Sequence, residues 1–151
     1  MAAHAISSLR HRRARNPLAK LRSNWCRANE FREDLFPAEN RKDIDYVHQF
    51  GLSFAIDGFF DGSKMKQTAL TGVYETCKGD RGAFLLVLAW PEGKPPAIRF
   101  LYEWPTDIAL TILQASDPTT IGVFDCLECD HMDKWRWSKT KKRFVLLPPE
   151  D

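Results

Sequence analysis

The densest group of metal- and proton-binding side chains in this 151-residue chain is Asp125-Cys126-Leu127-Glu128-Cys129-Asp130-His131. Cys126, Cys129 and His131 are ligand types suited to zinc, and Cys77 or Cys26 would supply the fourth corner of a tetrahedron. A structural zinc site uses four such ligands, and the sequence holds no second Cys-x-x-Cys or His pair. A redox pair would sit at a helix N-terminus, where the dipole lowers the thiol pKa. Here the pair follows strand-like sequence, and Asp125, Glu128, Asp130 and Asp133 oppose a thiolate. The simpler reading is a β-turn holding a local disulfide or two idle thiols, with no cofactor; zinc is the alternative. His131 beside Asp130 and Asp133 has the makings of an acid–base pair, but no nucleophile can be set next to it. His48, three residues after Asp45, reads as a surface pair. No catalytic residue is assigned.

Charge is distributed unevenly. Residues 1–29 carry Arg10, Arg12, Arg13, Arg15, Lys20, Arg22 and Arg27 and no acid, whereas residues 30–151 carry 15 bases and 20 acids, a net of −5. This divides the chain into a basic flexible tail, 1–29, and a single domain, 30–151. Such a tail can reach phosphate or an anionic membrane surface, so Arg10, Arg12, Arg13 and Arg15 are candidate nucleic-acid contacts. Its Ser and Ala content also fits an organelle transit peptide, while the lack of an apolar stretch argues against a secretory signal. No apolar run reaches the ~18 residues of a membrane span. Without a signal, the four cysteines are expected as reduced thiols in a cytoplasmic setting.

These groups must be positioned by a β-rich body. Ile44, Val47 and His48 recur at helical spacing within Glu39 to Gln49, which predicts a short amphipathic helix, and Asn29 to Phe36 reads as a helical turn before Pro37. After Phe50 the pattern becomes strand-like: Leu52 to Ile56, Thr68 to Thr76, Ala97 to Trp104, Thr119 to Leu127, Asp133 to Ser138 and Arg143 to Leu147. Ala83 to Trp90 is apolar throughout, the mark of a central strand covered on both faces. Thr106 to Gln114 fits strand or helix. The expectation is a mainly-β antiparallel meander forming a sandwich or partly open barrel, with one or two short N-terminal helices. Trp90, Trp104, Trp135 and Trp137 are expected to fill the core; a stacking platform for single strands is disfavoured because alternation sends Arg136 to the face opposite Trp135 and Trp137.

The segment Gly58-Phe59-Phe60-Asp61-Gly62-Ser63-Lys64, followed by Thr68 to Tyr74, resembles the start of an FG-GAP or VCBS-type β-repeat. The later strand Ala83 to Leu88 and the ending Trp135-Arg136-Trp137 with Lys142 to Leu146 are similar to strands completing such a unit in small bacterial proteins. The resemblance spans about residues 52–147. It implies a binding or scaffold module, and in that family the Asp-rich loop often holds calcium. On this register the ligand positions fall at Phe59, Asp61, Ser63 and Gln67, with Lys64 in place of the turn glycine. One carboxylate beside a lysine does not offset the dehydration of a divalent cation, so the expectation is a degenerate calcium loop that keeps its turn.

Phe59 and Phe60 are adjacent in a Gly-flanked loop and cannot both enter one core. They are the candidate partner-binding residues, burial of Phe60 alone being the simplest outcome. The function expected is a non-enzymatic binding or accessory module acting on an unidentified protein partner, of inhibitor or immunity type. The alternatives are a nucleic-acid-associated protein using the arm and a protein stabilised by zinc at Cys126, Cys129 and His131.

Overall fold

The structure is a computed structural model and describes residues 17–33, 38–106, 111–124 and 131–150. Within these, nine antiparallel strands form two sheets, as the mainly-β expectation requires. The first sheet contains β1 (Trp25–Glu30), β2 (Ala55–Gly58), β3 (Gln67–Thr76), β4 (Arg81–Ala89) and β5 (Ala97–Pro105). Its order is β1-β3-β4-β5, with β2 also on β3. The second is a meander in chain order: β6 (Ile112–Asp117), β7 (Thr120–Phe124), β8 (Asp133–Ser138) and β9 (Arg143–Leu146). One helix, α1 (Arg41–Gln49), packs Ile44 and Val47 against Phe54 and Ile112.

The two sheets meet across a shared core. Ala69, Leu85 and Val87 of the first face Leu113, Ile121, Val123, Trp135 and Phe144 of the second. The intervening β4 residues, Phe84, Leu86 and Leu88, point the other way and pack with Leu70, Trp25 and Ala28. Leu18 and Leu21, on the 3-10 turn Pro17–Leu21, cover that second face. The unbroken apolar run in β4 thus serves two cores, since successive side chains of a strand alternate between faces. At one corner the sheets are linked by the bridge Ser53↔Leu113. Across the opposite margin Phe100 and Tyr102 of β5 contact Trp135 of β8, and the sandwich does not close into a barrel.

The fold corrects four expectations. Residues 17–29 belong to the fold: Trp25 and Ala28 are buried against β3 and β4, and this burial draws β1 onto the sheet. The arm residues Arg10, Arg12, Arg13 and Arg15 lie outside the described residues. Cys26 and Cys77 form a disulfide with Cα atoms 4.9 Å apart, so neither is a reduced thiol or a fourth zinc ligand. Asn29 and Glu30 end β1 instead of starting a helical turn, because Phe31 continues the pairing by donating its N–H to Thr71 O at 2.9 Å. His48 pairs with Glu33 at 2.9 Å, not with Asp45. The ambiguous segment is strand from Ile112 onward.

Candidate functional site

Four chain reversals gather at one end of the sandwich: 59–66 between β2 and β3, 90–96 between β4 and β5, 118–119 between β6 and β7, and 139–142 between β8 and β9. Register fixes this, since Gln67 pairs with Ala89 and Ala89 with Ala97 in the first sheet, and Thr120 pairs with Arg136 in the second. Arg99 joins the two halves. It lies 4.4 Å from the centre of the Trp137 ring and 3.2 Å from Asp61 Oδ2.

The loop 59–66 separates the two phenylalanines. Phe60 is 1% exposed and packs in the shared core, where it cannot reach a partner. Gly58 makes this possible, because a Cβ there would sit 2.9 Å from the Phe60 ring. Phe59 is 50% exposed. Gly62, at φ +73, closes the turn by donating its N–H to Phe59 O at 2.9 Å; few residues other than glycine adopt this backbone easily.

Asp61 organises the rest. Its own N–H donates to Gln67 Oε1 at 3.0 Å, and its Oδ1 accepts the Ser63 N–H at 2.9 Å. Ser63 Oγ in turn accepts the Met65 N–H at 3.2 Å. The Asp61 side chain is only 6% exposed. Burial pushes its carboxyl pKa up, but hydrogen bonding from Ser63 and the Arg99 charge outweigh that and hold it below the ordinary carboxylate value. The oxygens at the ligand positions of the resemblance are thus engaged within the loop or by Arg99. Phe59 offers none, Asp61 holds a guanidinium, and Ser63 and Gln67 satisfy loop amides. The result is a preorganised loop that presents Phe59 and, at 40% exposure, Met65.

The other candidates stand apart from this end. Cys126 and Cys129 lie outside the described residues. His131 is near the far end, hydrogen-bonded to Asp133 at 2.9 Å and 71% exposed. It lines a concavity of about 340 Å³ with Lys134 and Glu150, and no Ser, Thr or Cys among the described residues lines it. Among the described residues no group of three or more His, Cys, Asp or Glu gathers in a metal-holding arrangement. A second, open concavity of about 940 Å³ lies beside the disulfide, between Tyr74, Asp80 and Glu103. Trp135 packs in the core and Trp137 packs against it, so they offer no stacking platform.

Arg99 and Met65 were absent from the candidates drawn from sequence. Arg99 had a visible signal, a lone charge inside the apolar strand Ala97 to Trp104. Met65 had none, since its exposure depends on the Ser63 turn. Comparison of the chain with protein-family models, with curated proteins and with solved structures returns no match.

Proposed function

We propose that this chain is a non-enzymatic binding module that works by surface contact, through the end carrying loop 59–66. The observation that carries this reading is Phe59, an aromatic side chain held half out of the fold by a loop whose Asp61 and Ser63 side chains are engaged internally. An ordered loop loses little conformational freedom on docking, and a protruding aromatic is the side-chain type that dominates contact energies. The test is a photo-crosslinking phenylalanine analogue at position 59, with the equally exposed Phe50 as control position. Irradiation in native extract should give a discrete adduct from position 59 and none from position 50. Equal labelling from both positions would remove the assignment of this end.

A further inference from the structure

The end that carries Phe59 also concentrates uncompensated positive charge. Of the 15 bases and 20 acids in residues 30–151, nine bases but only four acids lie there. Three of the bases are neutralised locally: Lys66 by Asp57, Arg99 by Asp61 and Arg136 by Asp117. Lys64, Lys94, Lys139, Lys141, Lys142 and Arg143 are exposed and have no ion-pair partner among the described residues; Glu92 is the one acid there in the same state. Apolar side chains are interspersed with them: besides Phe59 and Met65, Ile98 at the start of β5 is exposed. The β8–β9 hairpin places Lys142 at φ +51, a left-handed position that favours glycine, so a charge is kept there against backbone preference.

We propose that this end docks on an anionic lipid surface, with the lysines against the headgroups and Phe59, Met65 and Ile98 entering the interfacial layer. This rests on the reading of the same end as the contact surface and names its partner. Three observations favour lipid. Five of the six unpaired bases are lysines, which protein–protein interfaces deplete in favour of arginine. Trp135 and Trp137 are committed to the core, so the stacked platform of a single-strand binder is missing. Exposed apolar loop tips ringed by lysine match interfacial anchoring, where each base near the surface strengthens attraction. No helix among the described residues is long and apolar enough to cross a membrane, and docking of this kind needs none.

The test is co-sedimentation of the full chain with phosphatidylcholine vesicles, with and without phosphatidylserine. Binding is expected only with phosphatidylserine, and should fall sharply between about 0.1 M and about 1 M salt as the Debye length shrinks from ~10 to ~3 Å. Lys139→Gln, Lys141→Gln and Lys142→Gln together should weaken it about a hundredfold, from about fivefold per charge. Lys142→Gly relieves the left-handed strain, so it should fold at least as well yet bind about fivefold more weakly. Lys78→Gln at the opposite end should bind as the parent does. Absent binding, binding indifferent to the triple substitution, or binding to duplex DNA but not to vesicles would each overturn the lipid partner. Protein captured from position 59 without vesicle binding overturns the lipid but keeps the contact reading; no capture and no binding removes both.

Discussion

At the end that carries the disulfide, several charged groups are paired within the fold. Glu75 holds Arg81, Glu103 accepts the Trp25 indole N–H and faces Arg22, Asp133 holds His131, and Glu150 holds Lys134. Trp25 stacks on Tyr74 at 4.6 Å, and Cys26 is bonded to Cys77 beside them. At the opposite end, one loop is tightly bonded while five of the six lysines there have no acidic partner among the described residues, and apolar tips stand in solvent. The closed end joins the two margins of the first sheet through β1. The open end holds charge and apolar surface that the fold itself does not use, and such surface is the mark of contact. On the reading proposed above, stability and contact fall at opposite ends of one sandwich.

Substitutions can break or sharpen that division. The largest effect is expected from Cys26→Ser with Cys77→Ser. The bridge spans a separation of 51 residues, and on loop-entropy grounds its loss should cost about 2–4 kcal/mol in urea unfolding. Contact through position 59 should survive under conditions where the variant is folded.

Next is Asp61→Asn, which removes the charge facing Arg99 and should cost about 1–2 kcal/mol, discounted because Arg99 is partly exposed. The sign with pH is fixed. The folded carboxyl lies below its ordinary value of ~3.9, so its contribution is complete above that value and is lost as pH falls through the lower folded one. Asp61→Asn should flatten that part of the acid limb in unfolding measured from pH ~5 downward. Phe59→Ser should lower unfolding stability little, by under about 1 kcal/mol given its half-exposure, while weakening vesicle co-sedimentation. A large stability loss there would make Phe59 a core residue and undo the comparison. Smallest is Arg81→Ala, whose exposed pair with Glu75 should be worth no more than about 0.5 kcal/mol in thermal unfolding.

The strands after Phe50 were legible because their apolar spacing is local. Asp133–Ser138 has the bounds its alternation suggested, and the apolar run of β4 did signal cover on both faces. β1 was not legible. Trp25-Cys26-Arg27-Ala28-Asn29-Glu30 carries two buried residues, Trp25 and Ala28, three apart across a bulge at Cys26, which breaks strand alternation. Its partner lies more than 40 residues away, beyond any local window. The disulfide was hidden for the same reason, and the composition of residues 1–29 read as a tail. The loop was visible: the Gly-flanked Phe pair marked it, burial of Phe60 alone was the simplest outcome, and the space above Gly58 is what admits that ring. The charged end was legible in part: Lys139, Lys141, Lys142 and Arg143 form one basic hairpin loop in the sequence, but Lys64 and Lys94 come from separate hairpins that only sheet register brings beside it.

The outer edge of β3 is divided lengthwise, Gln67 to Leu70 pairing with β2 and Gly72 to Thr76 with β1. Thr71 is the joint: its N–H goes to Phe54 O, its carbonyl accepts from Phe31, and its hydroxyl donates to Thr111 O at 3.0 Å. A strand with two partners on one edge has two separable opening reactions. Amide hydrogen exchange would resolve β3 into two protection levels. The half beside β1 should exchange faster once the sulfur bridge is reduced, and the half beside β2 should not change.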